Sequence, residues 1–159
     1  RICLPYGLTA RRSYEGIVIE KQQQPKEKEQ TELVPALSEH NPVIYEVGGG
    51  ILTLEIKREK IQNIAEKIYT KWLDYDRIKE SLVIRTPRQG DYLVVTKEGG
   101  TKKLRRYLID EKVPANERER QLVLADGNHI LWVIGYRISE YYKITKETRC
   151  ILKVQWEER

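Results

Sequence analysis

Two short apolar runs on either side of an Asp-Gly-Asn turn constrain the fold most strongly. The runs cover residues 122–125 and 130–134, and Asp126, Gly127 and Asn128 separate them. A pair such as Asp-Gly between apolar segments is typical of a tight turn that joins two antiparallel strands. The second run is the longest uninterrupted apolar run in the chain and is far too short to span a membrane. We therefore expect a β-hairpin here, in a chain without membrane spans.

Further strands are indicated by other short apolar or alternating segments. These segments cover residues 14–19, 43–47, 52–56, 82–85, 92–95 and 151–156. The glycines at 48–50 predict a tight turn rather than a phosphate-binding loop, because the GxxxxGK[ST] pattern is absent and a strand follows. Short helices are expected at residues 59–68, 101–114 and 116–121, the last with Asn116 as a candidate cap. Together these elements predict an α+β fold of mainly short antiparallel strands in sandwich-like sheets, with two or three short helices.

The segment TKKLRRYLIDEKVP, residues 101–114, predicts an amphipathic helix. Thr101 is a candidate N-cap, and Pro114 is expected to end the helix. Its apolar face would consist of Leu104, Tyr107 and Leu108. Its opposite face would carry Lys102, Arg105 and Arg106, with Lys103 at the flank. Such a helix offers cations to an anion; the alternative is an ordinary solvated face without a ligand.

Charge and composition narrow the class of partner. The net charge is +5, and residues 81–159 hold 16 Lys and Arg against 11 Asp and Glu, whereas residues 1–80 hold 13 of each. A basic excess on one half favours a polyanion, with nucleic acid first. The charged segment at 20–32 predicts a mobile linker. Cys3 and Cys150 lie near opposite ends without a secretory signal or a zinc spacing, so reduced thiols and no metal site are expected.

Motifs of catalysis are missing from this sequence. It contains no G-x-S-x-G element, no dinucleotide fingerprint and no Walker motif. Asp74 and Asp76 stand two residues apart, but capping of turns is favoured over an acid–base pair. Trp132 is expected in the core; for Trp72 and Tyr69, core packing is favoured over stacking on a terminal base. These features favour a binding module over an enzyme.

Three elements in the second half resemble the C-terminal region of tRNA(Ile)-lysidine synthase. That family carries R-x-R-x-x-GD, G-x-KKLK-x-x-x-ID-x-K-x-P-x-x-x-R and W-V-x-G-x-R elements. The first is matched by Arg85, Gly90 and Asp91, with Pro87 at the position of the second arginine and Arg88 directly after it. The second is matched by Lys102, Lys103, Leu104, Ile109, Asp110, Lys112, Pro114 and Arg118. The third is matched by Trp132, Val133, Gly135 and Arg137.

The resemblance implies a fragment of a longer, cytoplasmic, ATP-dependent ligase. The whole enzyme attaches lysine to the wobble cytidine of an isoleucine tRNA, with ATP and Mg²⁺ as cofactors. The SGGxDS loop that holds ATP in the family is absent here, so this chain is expected to be inactive alone and to carry no cofactor. Residues 1–42 would form a leading strand and the linker, and residues 43–159 a tRNA-binding domain. The implied partners are the acceptor stem of isoleucine tRNA, the enzyme's own catalytic domain and, as a further option, a second copy in a homodimer.

The expected site residues fall into two groups. Phosphate contacts are assigned to Lys102, Lys103, Arg105, Arg106, Lys112, Arg118, Arg120, Arg88 and Arg137. A structural role is assigned to Arg85, Asp91 and Asp110, with Arg85 and Asp91 as candidate partners in an ion pair. Two other functions stay open: a structural or dimerisation module that packs on the catalytic domain, and an independent enzyme of unknown reaction.

Overall fold

The computed structural model describes residues 2–4, 8–13, 16–21, 32–34, 37–58 and 67–159. Within these residues the chain forms three sheets and two short α-helices. The first sheet contains β1 (Ile2–Leu4), β2 (Leu8–Ser13) and β3 (Gly16–Lys21) in that order, all antiparallel. The prediction of a strand at 14–19 is therefore confirmed for β3, whereas β1 and β2 were not predicted.

The larger two sheets form the body of the fold. The six-stranded sheet contains, in spatial order, β10 (Thr101–Lys103), β9 (Tyr92–Val94), β12 (His129–Val133), β11 (Val123–Asp126), β8 (Leu82–Arg85) and β4 (Glu32–Leu33). The four-stranded sheet contains β5 (Val43–Val47), β6 (Gly50–Lys57), β13 (Ile151–Glu158) and β7 (Thr70–Asp74). Strand pairs are antiparallel except β9 with β12.

Two apolar clusters give the fold its layers. One cluster joins the four-stranded sheet to one face of the six-stranded sheet, and its members include Leu54, Val154, Ile84 and Trp132. The other cluster places α1 (Leu104–Asp110) on the opposite face of the six-stranded sheet. The layers are therefore, in order, the four-stranded sheet, the six-stranded sheet and α1. The predicted α+β fold of mainly antiparallel, sandwich-like sheets with short helices is confirmed.

Local turn chemistry produces the predicted hairpins. Gly48 and Gly49 have φ values of 58° and 80°, which residues with a side chain rarely adopt, and they connect β5 to β6. Asp126 pairs with His129 at the end of the β11–β12 hairpin, as the Asp-Gly-Asn turn predicts. Capping by Asp74 is also confirmed, because its Oδ1 accepts the N–H of Asp76 at 3.1 Å.

The segment 101–114 differs from its prediction. Thr101–Lys103 forms a strand because it pairs with Tyr92–Val94, so Thr101 is not a helix N-cap. The helix begins at Leu104, whose N–H donates to the carbonyl of Asp91 at 2.9 Å.

The ends of the helices also differ from the prediction. The first helix ends at Asp110, four residues before Pro114. Pro114 instead precedes α2 (Ala115–Arg118) as its N-cap residue, so Asn116 lies inside that helix and caps nothing. The expected helix at 59–68 falls mostly, and the linker at 20–32 largely, outside the described residues.

A buried ion pair holds the turn between β8 and β9. Arg85 and Asp91 form two parallel hydrogen bonds, Nη1 to Oδ2 and Nη2 to Oδ1, each 2.7 Å long. Nη2 of Arg85 also donates to the carbonyl of Gly127, and Oδ2 of Asp91 accepts the N–H of Arg88. Both side chains are almost fully buried. The pair therefore ties the turn at 86–91 to the β11–β12 hairpin.

Asp91→Asn should destabilise the fold strongly, because it leaves the buried guanidinium of Arg85 without a counter-ion. We expect a loss of about 3–5 kcal/mol in the free energy of unfolding, measured by urea denaturation. Asp110→Asn is the matched control, since Asp110 also pairs with cations but lies at the surface. It should change the stability little, because exposed ion pairs contribute little. Equal losses in the two variants would contradict the structural role of the buried pair.

Candidate nucleic-acid interface

Helix α1 separates an apolar face from a charged one. Leu104, Tyr107 and Leu108 are buried against the six-stranded sheet, and burial of each leucine contributes about 1.5–3 kcal/mol. Burial raises the pKa of Tyr107 to about 12. Arg105 and Arg106 lie on the exposed face of the helix. The apolar face fixes the orientation of the helix, and that orientation places both arginines in solvent.

The carboxylate of Asp110 forms ion pairs with two of the predicted cations. Its Oδ2 lies 2.6 Å from Nζ of Lys102, and its Oδ1 lies 3.1 Å from Nε of Arg106. The hydrogen bond from Lys102 and the charge of Arg106 lower the pKa of the Asp110 carboxyl. Lys102 reaches this carboxylate from β10, not from the helix as predicted. The two cations are thus held together and partly neutralised.

Four further cations are more available to a ligand. Within the described part of the chain, no ion pair involves Lys103, Arg105, Lys112 or Arg120, and all four are exposed. They lie on β10, on α1, in the turn after α1 and two residues after the end of α2. We call them the cation quartet. They follow one another along the chain from β10 to just beyond α2, and each is a suitable contact for a polyanion.

The remaining predicted cations have partners in the protein. Nε of Arg118 donates to the carbonyl of Val113 at 2.7 Å, which ties α2 to the turn before it. Arg137 is half-buried and pairs with Glu140 at 3.0 Å. Arg88 is exposed in the turn at 86–91, where its N–H is held by Asp91. The first two side chains are therefore committed to the scaffold more than the quartet is.

Lys112 has an unusual backbone conformation. Among the described residues it alone combines a side chain with a positive φ, 59°. Its N–H donates to the carbonyl of Ile109, and the N–H of Val113 donates to that of Leu108, which is a left-handed helix C-terminus of the kind that usually contains glycine. A side chain at such a position costs about 1–2 kcal/mol. This cost falls on a member of the cation quartet.

Lys112→Gly should therefore stabilise the protein. Glycine removes the strain of the positive φ, at some cost in chain entropy, so we expect a gain of about 1 kcal/mol in the free energy of unfolding. Lys112→Ala, which keeps the strain and loses the same charge, is the control and should give no gain. Urea denaturation of both variants measures the difference. Equal stability of the two would show that the backbone at this position carries no strain.

No sequence pattern predicts the cluster of aromatic side chains around His129. The His129 ring stacks on Tyr92 with a centroid distance of 4.7 Å, and the rings of Tyr142 and Tyr141 lie at 4.7 and 5.2 Å. Nε2 of His129 lies 2.9 Å from Oγ of the buried Ser139. Burial lowers the pKa of His129, opposed by the charge of Asp126. Only the strand register brings these residues together.

The lowered pKa of His129 predicts a pH effect on stability. The unfolded chain binds a proton near pH 6.5 while the folded chain still excludes it, so stability should fall as the pH drops from about 6.5 towards the folded pKa. His129→Gln should show a smaller fall than the parent protein in thermal melts across this range. His40→Gln, at an exposed position, is the control and should behave like the parent. An unchanged pH dependence in His129→Gln would contradict the assignment.

The absence of a metal site and of a membrane-spanning helix holds for the described residues only. Among the described residues, no group of three or more His, Cys, Asp or Glu could hold a metal ion. None of the described helices has the length and apolar character needed to cross a membrane. Cys150 is a partly buried free thiol, and the side chain of Cys3 lies outside the described structure.

Comparison with known proteins gives consistent matches. Residues 82–156 match the family model of the TilS substrate C-terminal domain. A tRNA(Ile)-lysidine synthase of Caldanaerobacter subterraneus subsp. tengcongensis is 32% identical over 98% of this chain, and one of Clostridium tetani is 34% identical over 72%. The chain spans only 33% and 26% of the lengths of these two relatives.

A solved structure supports the same assignment. The crystal structure of a TilS C-terminal domain superposes with a TM-score of 0.66 and 26% identity, covering 82% of this chain and 98% of that one. Residues 82–156 of this chain are therefore a TilS substrate C-terminal domain, as the resemblance to the C-terminal region of tRNA(Ile)-lysidine synthase predicts.

Proposed function

We propose that this chain is the tRNA-binding part of a tRNA(Ile)-lysidine synthase, and that it grips the acceptor stem of isoleucine tRNA. The observation that carries the proposal is the cation quartet, four exposed cations without ion pairs in the described structure, on a TilS substrate C-terminal domain. Catalysis belongs to the rest of the enzyme, where ATP and Mg²⁺ would bind. This chain supplies affinity and position.

The chemistry of an RNA duplex suits this surface. The deep major groove of A-form RNA hides base edges, whereas phosphates and 2′-hydroxyls remain accessible. Lys and Arg contacts to phosphates release counter-ions, so binding weakens steeply as salt rises. Lys102 and Arg106 share Asp110, and this restricts where their charges point. The quartet would therefore provide most of the attraction, and the Asp110 group would provide position.

A salt titration with isoleucine tRNA tests the proposal. The variant Lys103→Gln, Arg105→Gln, Arg120→Gln should bind more weakly than the parent protein in fluorescence anisotropy. The slope of log affinity against log salt should shrink by about three, one for each lost phosphate contact. Measurements between about 50 and 200 mM salt give that slope.

A matched control removes the same charge elsewhere. Lys67→Gln, Lys146→Gln, Arg149→Gln takes three exposed cations away from the region between β10 and α2 and should leave the slope almost unchanged. Lys112→Gly adds a variant expected to be more stable, so weaker binding by it could not be ascribed to unfolding. Equal effects of the two triple variants would mean that net charge alone drives binding, and the proposal would fail.

Exposed isoleucines favour a second candidate function, a module that packs on another protein surface. Ile17 and Ile19 on β3 expose 75% and 60% of their surface. Large apolar side chains of this kind, grouped on one strand, are common at protein interfaces. Under this function the cation quartet would be ordinary solvated surface, and the parent protein would show no salt-dependent binding of tRNA.

A further inference from the structure

A row of side chains crosses the six-stranded sheet beside the cation quartet. In the strand register, Lys103 of β10 is the partner of Tyr92 of β9, and Tyr92 is in turn the partner of His129 of β12. Directly paired residues project from the same face of a sheet. Tyr141 continues the row, with its ring 5.2 Å from that of His129. We call Tyr92, His129 and Tyr141 the aromatic strip.

The aromatic strip is partly exposed and lies at the edge of the first apolar cluster, against which Tyr141 packs. All three of its rings are only half-buried, whereas Tyr142 behind them is buried. His129 stacks on Tyr92 with an angle of 26° between the rings and covers the side of Tyr92 that faces β12. The other neighbour of β9 is β10, which carries the exposed Lys103. On that side of the Tyr92 ring, the strand partner is that lysine.

Cations border the aromatic strip at both ends. Lys103 stands next to Tyr92, and at the far end the guanidinium of Arg77 lies 5.0 Å from the centroid of the Tyr141 ring. A planar ring that carries a negative charge matches this combination, since the ring stacks on the aromatic side chain and the anion contacts the cation. A nucleotide is such a ligand. Bases inside a duplex already stack on each other, so only an unpaired nucleotide offers a free face.

We propose that the aromatic strip binds an unpaired nucleotide of the same RNA, with Tyr92 as the stacking platform and Lys103 as its phosphate contact. This inference rests on the proposed function, because Lys103 also belongs to the cation quartet. Helix α1 begins directly after Lys103. Lys103 therefore links the start of α1 to the aromatic strip along the chain.

Two synthetic RNAs separate the inference from the proposed function. One is a blunt duplex with the sequence of the acceptor stem, and the other is the same duplex with a short unpaired 3′ extension. The wild-type protein should bind the extended RNA about 5- to 150-fold more tightly, the range that corresponds to one stacked base. Tyr92→Leu should abolish this preference while the affinity for the blunt duplex stays unchanged, and Tyr92→Phe should keep it.

A fluorescent base gives a signal that depends on stacking and would not change if Tyr92 served only in packing. With 2-aminopurine as the first unpaired nucleotide, wild-type protein and Tyr92→Phe should quench the fluorescence and Tyr92→Leu should not. The wild-type measurement decides the matter even where Tyr92→Leu fails to fold. Strong quenching together with the preference for the extended RNA supports the inference.

Other outcomes overturn one proposal or both. Equal, salt-dependent binding of the two RNAs without quenching would refute the stacking platform and leave the proposed function standing. An equal loss of affinity for both RNAs in a folded Tyr92→Leu variant would assign the ring to packing and refute the platform. Binding of neither RNA by the wild-type protein would refute the proposed function and, with it, the inference.

Discussion

The buried ion pair between Arg85 and Asp91 sets the geometry on which the candidate interface depends. It closes the turn at 86–91 and reaches the carbonyl of Gly127 in the neighbouring hairpin. The carbonyl of Asp91 also accepts the first N–H of α1, at Leu104. The two residues of the pair therefore connect a strand, a hairpin turn and the start of the helix. Because desolvating two charges is expensive, such a pair contributes little net stability, but loss of one partner leaves the other charge buried and unpaired.

Packing converts that geometry into a surface with a defined orientation. The apolar face of α1 is buried in the second core cluster, so the helix cannot rotate without exposing Leu104, Tyr107 and Leu108. The arginines on its other face are held in solvent as a consequence. The turn after the helix includes a left-handed Lys112. Strain of this kind persists where the surrounding structure over-determines it, and it often marks a functional residue. Here it falls on a member of the cation quartet.

The sequence predicts those parts of the fold whose causes are local. The β11–β12 hairpin follows from an Asp-Gly turn between apolar runs, and the β5–β6 hairpin from glycines that adopt positive φ. Thr101–Lys103 was assigned wrongly because its helical periodicity competes with pairing to Tyr92–Val94, a contact that a single segment does not show. The aromatic strip was not foreseen for the same reason. Its rings come from positions 92, 129 and 141, and only the register of β9 with β12 and the fold of the following loop bring them together.

The distribution of charge argues for positioned contacts over general attraction to a polyanion. A net charge of +5 is modest for 159 residues, and Asp110 partly neutralises two of the cations nearest to the quartet. A surface selected only for affinity would gain by losing that carboxylate. The Asp110 carboxylate weakens the attraction for a polyanion, but it restrains Lys102 and Arg106. The long side chains of these two residues would otherwise lose rotamer freedom on binding. Restrained cations discriminate between phosphate arrangements better than mobile ones, which suits the proposed grip on one folded RNA among others of the same charge.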